Sequence, residues 1–254
     1  MVKIVTINNV KGGVGKTTTA INLAAGLARK GKKVLLIDTD HQKNTTDAIC
    51  NQKITKTIKD VFQDTPIQEA IYPSVEPGLD IIPSCLALSA IEPELFSACA
   101  RETILRRALE PIRNKYDVII IDTQPSISVI PMNTLCVADE VIIPVYEAFA
   151  VDAIGQMINV LTLVKKTGLN PNLRIGGILL TMYDPRTNVA KTVREKLMEK
   201  FKTVMFETVI PRNVKLVECT RKKQSIYEYD PDSKGAKAYQ AFTEEIMERW
   251  GMTQ

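Results

Sequence analysis

Asn9-Val10-Lys11-Gly12-Gly13-Val14-Gly15-Lys16-Thr17-Thr18 is the stretch whose reading decides the fold. An apolar, β-type run over 2–8 precedes it, and a helical pattern over 16–30 starts inside it. The glycines let the main chain curl so closely that successive N–H groups and the helix N-terminus converge, which makes a cradle for phosphate. Lys16 is then expected to reach β- and γ-phosphates, and the Thr17 hydroxyl to ligate Mg²⁺. The strict G-x-x-x-x-G-K-[ST] pattern begins with glycine where this chain has Val10. A plain glycine-rich turn is the competing reading. The register of strand, loop, Gly-Lys-Thr and helix argues against it.

Working outward, apolar runs of strand length alternate with helical periods. Strands are expected over 2–8, 33–38, 79–83, 117–122, 140–145 and 175–182, and helices over 16–30, 100–115, 151–167, 187–201 and 235–250. Val118-Ile119-Ile120-Ile121 is apolar without alternation, as in a parallel strand covered on both faces. Val189, Val193, Leu197 and Phe201 recur at i, i+4, and Tyr239, Phe242, Ile246 and Trp250 form a second stripe. Such alternation predicts an α/β fold: a doubly wound, mostly parallel sheet with helices on both faces, in one domain spanning 1–254. Folds of this kind bind ligands beyond the carboxyl ends of their strands.

Carboxylates stand at two of those ends. Asp38-Thr39-Asp40 follows the second strand, and Asp122-Thr123-Gln124-Pro125-Ser126 follows the strand over 117–122. Asp122 is placed to hold a Mg²⁺-bound water, Asp38 to support the same shell, and Asp40 to orient an attacking water. Any one Asp at a strand end could equally be a turn or helix cap.

The 254 residues are 45% hydrophobic and 24% charged with a net charge of +4, which excludes wholesale disorder and leaves charge distribution to decide partners. The five cysteines form no C-x-x-C pair and His41 is the only histidine, so no His/Cys metal cluster is expected. No apolar run approaches the roughly 20 residues of a membrane span. No signal peptide is read before the loop. A cytoplasmic protein is expected.

These residues resemble the deviant Walker A ATPases of the ParA, Soj and MinD family, over nearly the whole chain and most closely in its Soj-like branch. The marker is the extra lysine of Lys11-Gly12-Gly13-Val14-Gly15-Lys16-Thr17-Thr18. The resemblance implies that Lys11 reaches the partner's ATP in a nucleotide-sandwich homodimer, so that assembly adds a cation to the phosphates. Asp38-Thr39-Asp40-His41-Gln42 matches the first switch with His41 where proline is usual. Asp122-Thr123-Gln124-Pro125-Ser126 matches the second with Gln124 in place of proline, a change expected to loosen that loop. The segments Leu180-Thr181-Met182-Tyr183-Asp184 and Val209-Ile210-Pro211-Arg212-Asn213-Val214 also look Soj-like, implying adenine recognition at Pro211 and Asn213. The match decays over 217–223. ATP and Mg²⁺ are the implied cofactors, ATP hydrolysis the implied reaction, and a ParB-like protein the implied stimulating partner.

Two segments concentrate positive charge. Residues 212–223 carry Arg212, Lys215, Arg221, Lys222 and Lys223 against Glu218. Residues 186–202 carry Arg186, Lys191, Arg194, Lys196, Lys200 and Lys202 against two glutamates. Such clusters give sequence-independent DNA affinity, and the alternative is a solvated charged face. The resemblance favours nonspecific DNA bound by the ATP dimer, hence nucleoid association in that state. Operator reading is not expected, because no helix-turn-helix precedes the loop. A MinD-like membrane-associated ATPase is the rival, but residues 236–250 carry a net charge of −1, so no stable membrane association is expected. An iron–sulfur relative is disfavoured because Cys136 lacks a glycine-rich cysteine loop. A switch without hydrolysis is disfavoured because Lys11 and Asp40 are both present.

Overall fold

The computed structural model describes residues 2–146 and 150–252. Its strands are β1 (Lys3–Ile7), β2 (Val34–Thr39), β3 (Tyr72–Pro73), β4 (Leu79–Ile82), β5 (Val118–Thr123), β6 (Glu140–Val145) and β7 (Arg174–Leu180). They form one sheet in the order β3-β4-β2-β5-β1-β6-β7. Every pairing is parallel except β3 against β4. The short β3 was not foreseen; it lies on the edge, where a proline such as Pro73 is tolerated.

The helices are α1 (Lys16–Arg29), α2 (Asn44–Ile49), α3 (Ile58–Phe62), α4 (Glu92–Phe96), α5 (Ile104–Leu109) and α6 (Val129–Val137). After them come α7 (Ala150–Lys166), α8 (Asn188–Phe201), α9 (Lys215–Arg221), α10 (Ile226–Tyr229) and α11 (Lys234–Arg249). β2 and β5 are buried at every position, and their period of two divides the apolar run between two cores. Leu35, Ile37, Ile119 and Ile121 face the layer of α3 to α8. Val34, Leu36, Val118 and Ile120 face α1, α2 and α9 to α11.

The stripe on α11 is core, as expected. Tyr239, Phe242 and Ile246 are buried, and Phe242 meets Phe206 edge-on at 4.8 Å. Burying each such side chain stabilises the fold by about 1.5–3 kcal/mol. The stripe on α8 is only partly core. Leu197 is fully buried and Val193 and Phe201 pack beside it, but Val189 is 62% exposed. Residues spaced by four drift about 40° per step around a 3.6-residue turn, so four of them cannot all face one layer. The single helix expected over 100–115 is instead α5 between two 3₁₀ turns, Arg101–Thr103 and Glu110–Lys115. Ala100 takes a left-handed φ of 51°, and Pro111 removes a donor that a continuing helix would need.

Candidate active site

Strand register builds the site. Ile7, Asp122 and Asp38 stand side by side on β1, β5 and β2, so the glycine loop leaves the sheet level with both carboxylates. Asp122 Oδ2 accepts from Thr17 Oγ1 at 2.8 Å and from Thr45 Oγ1 at 2.6 Å. Its Oδ1 is buried without a hydrogen-bond partner. Burial pushes the Asp122 carboxyl above the usual carboxylate range, its hydroxyl donors opposing this only in part. A buried carboxylate oxygen lacking a donor is costly. A hard divalent cation beside Thr17 and Asp122 would meet that need, and oxygen donors are what Mg²⁺ takes. The residues present fit the ion.

Asp38 departs from its expected place in that shell. Its Oδ1 accepts from Asp40 N at 3.0 Å, and its Oδ2 from Thr46 N at 2.8 Å and Thr46 Oγ1 at 2.7 Å. Both oxygens are thus committed to holding the loop of Asp40 and the first turn of α2. Full burial raises the Asp38 carboxyl, and the facing Asp122 raises it further. Asp40 is buried, with Oδ1 accepting from Gln42 N at 2.9 Å, and lines the cavity above the glycine loop.

Within the loop, Gly13 and Gly15 have φ of 72° and 87°, so these positions require glycine. Val10 does not adopt a positive φ and packs against the core, which explains why the missing glycine is tolerated. Lys16 is buried and its Nζ spans the loop to the Lys11 carbonyl at 2.9 Å. Burial lowers its ammonium, with Asp122 and Asp40 opposing. Lys11 borders a separate 250 Å³ cavity with Tyr146, Ala150 and Ala153. No hydrogen bond or ion pair holds its ammonium among the described residues.

The main cavity measures about 710 Å³. Gly12, Gly13, Gly15, Lys16, Thr17 and Thr18 form its floor, while Pro211 and Asn213 lie on its wall; Val14 borders the smaller cavity instead. Sequence reasoning missed Thr181, Met182 and Val214 on that wall and named Arg212 only for DNA. Thr181 Oγ1 donates to the Val14 carbonyl at 2.8 Å and so ties the loop to the end of β7. Thr45 was missed as well: a hydroxyl in the first turn of α2 has no local signal that it will meet Asp122. Gln124, expected to loosen its loop, is 6% exposed and bonded to His41, Glu92 and Ser128, so its loop is held.

The basic residues sit on or beside two helices that pack on different layers of the fold. Lys191 and Arg194 are exposed on α8, which belongs to one layer; Arg221, Lys222 and Lys223 are exposed at the end of α9, which belongs to the other. Arg186 is clamped by Asp184 at 2.9 and 2.7 Å, and Lys215 pairs with Glu218 at 2.9 Å. Arg212 is exposed, its main-chain N–H donating to the Tyr183 carbonyl at 3.2 Å.

The chain is similar to known proteins along nearly its whole length. A family model described as an AAA domain matches residues 2–175. The chain is 44% identical over 251 residues to the chromosome partitioning protein ParA of Myxococcus xanthus, covering 97% of this chain and 88% of that protein. It is 42% identical over 250 residues to the sporulation initiation inhibitor protein Soj of Bacillus subtilis, covering 97% and 98%. Cobyrinic acid a,c-diamide synthase from Mycobacterium smegmatis, solved with ADP and magnesium, matches with a TM-score of 0.86 at 29% identity, covering 99% of this chain and 96% of that one. With its glycine loop, second lysine and strand-end carboxylates in these places, the chain belongs to the ParA/Soj/MinD family of deviant Walker A P-loop ATPases, among its Soj-like members.

Proposed function

We propose that this ATPase is a ParA-like partition protein whose ATP-bound sandwich dimer holds nonspecific duplex DNA, and which is reset when ATP is hydrolysed to ADP and phosphate. The observation that carries the chemistry is the unpartnered Oδ1 of Asp122, whose Oδ2 accepts from Thr17, a residue that lines the 710 Å³ cavity together with Pro211 and Asn213. Such a volume suits a nucleotide. Bound Mg²⁺ supplies charge neutralisation at the phosphates. Thr17 and Asp122 hold that ion, and Asp38 supports them by fixing the Asp40 loop and α2.

Lys16 leaves the Lys11 carbonyl for the β- and γ-phosphates, and the glycine-loop N–H groups bind their oxygens. Asp40 orients the attacking water and accepts its proton. Lys11 reaches the partner's phosphates on dimerisation, so hydrolysis is coupled to assembly. The adenine lies against Pro211 and Asn213. Lys191, Arg194, Arg221, Lys222 and Lys223 contact DNA phosphates, while a ParB-like partner stimulates turnover and connects the switch to cargo. The protein works in the cytoplasm and on the nucleoid when ATP-bound. The apolar stripe of α11 is spent on the core, which supports this reading over a membrane-associated one.

Titration against nonspecific duplex DNA, with ADP and with a nonhydrolysable ATP analogue plus Mg²⁺ at two salt concentrations, tests the proposal. Tight, salt-sensitive binding with the analogue alone is expected. Equal binding, or none, with the two nucleotides would remove the DNA switch.

A further inference from the structure

His41 and Gln124, the two residues that stand where the resembling motifs have proline, meet in space. His41 Nδ1 lies 2.9 Å from Gln124 Oε1. The Gln124 amide is not free to turn. Its Nε2 donates to Glu92 Oε1 at 2.8 Å and to Ser128 Oγ at 3.1 Å, and the Ser128 hydroxyl donates to the same Glu92 oxygen at 2.6 Å. Flipping the amide would set its oxygen against a carboxylate. Gln124 Oε1 therefore faces His41 and can only accept, so Nδ1 of His41 carries a proton.

We propose that His41 is a positioning residue for hydrolysis, tying the loop of Asp40 through Gln124 to the loop that follows Asp122. The inference rests on the role given above to Asp40. His41 is the next residue in the chain, and its Nδ1 lies 3.7 Å from Asp40 Oδ1, beyond hydrogen-bond reach. Asp38 holds the backbone of Asp40 on the near side. The His41–Gln124 bond holds it on the far side, and Gln42 N fixes the Asp40 carboxylate. A proline in each loop would restrain each one separately by fixing its own φ. A bond between the loops restrains them together, so the water-orienting carboxylate and the metal-holding carboxylate keep one spacing. Catalytic geometry is sensitive to displacements of about 1 Å, which is what such a tether limits.

Steady-state ATP hydrolysis by His41→Ala, Gln124→Ala and the double variant tests the proposal. Each single variant is expected to lower kcat about tenfold with KM changed less than about twofold, and the double variant to fall no further, because one shared bond is lost. His41→Asn, which can offer an N–H at the Nδ1 position, is expected to recover kcat to within about threefold of the parent. Full kcat in His41→Ala, or multiplied losses in the double variant, would overturn the tether. Asp40→Ala run alongside separates the two ideas: a parental rate there removes the role of Asp40 itself. Loss in Asp40→Ala with His41→Ala unaffected removes only the tether. Since the chain has one histidine, ¹⁵N imidazole spectra of the unmodified protein at alkaline pH report its tautomer alone. The Nδ1–H form is expected, and an Nε2–H form would overturn the proposal.

Discussion

Around Asp122, hydroxyls from positions 17 and 45 converge on one buried carboxylate oxygen, while the other oxygen is buried without a partner. Along α8 and α9 the side chains that matter are exposed and belong to opposite faces of the sheet. In the first region a bond's worth is raised by burial, because a missing partner leaves a group that water cannot reach. In the second, each charge acts through solvent, and the effect is a sum of small, salt-screened terms. Single substitutions should therefore silence the corner, whereas the basic surface should fade only by groups.

The largest expected effect is at Lys16. Lys16→Ala removes a buried cation from the phosphates and is expected to weaken ATP binding by about a hundredfold or more, as read with a fluorescent nucleotide. Next comes Asp40→Ala, expected to lower kcat about a hundredfold while the ATP-dependent dimer persists in sedimentation. Hydrolysis at the parental rate would leave the attacking water to another group.

On the surface side, replacing Arg221, Lys222 and Lys223 together with glutamate is expected to weaken DNA binding and flatten its salt dependence, by about 0.9 in log–log slope for each phosphate no longer neutralised. ATP turnover without DNA should not change. A comparable weakening from one of the three alone would break the distinction between the regions. The smallest effect is expected for Arg186→Ala, less than about twofold in DNA affinity, because Asp184 already holds that guanidinium. An effect as large as that of the triple substitution would mean that Asp184 releases Arg186 to DNA.

Much of the corner was legible. Gly-Lys-Thr after an apolar strand places a phosphate cradle by local geometry alone, and Asp122 at the end of a continuous apolar run must emerge at a strand end. What stayed hidden was where each carboxylate would spend its oxygens. Asp38 and Asp122 both stand at the ends of apolar strands, with Asp38 read as supporting the shell of Asp122. Asp38 accepts from Thr46 and Asp40 with both oxygens, whereas Asp122 keeps one oxygen without a partner. The basic segments were legible as composition, but their mutual position was not, since α8 and α9 both follow the last strand, β7, and yet pack on different layers.

The sequence by itself determined the alternation of strands and helices, the glycine loop with its two lysines, and the carboxylates at strand ends. All of these depend on neighbours within a few residues, where backbone sterics and hydrophobic period act directly. Only the tertiary structure decided that Thr45 and Thr17 share Asp122, that Thr181 braces Val14 from 167 residues away, and that Gln124 is clamped. It likewise decided that His41 faces Gln124 across 83 residues. Those bonds exist because strand register sets β2, β5 and β1 at one height and crossovers bring distant loops to the same edge. No periodicity along the chain encodes such meetings; hydrogen-bond direction in a buried space does.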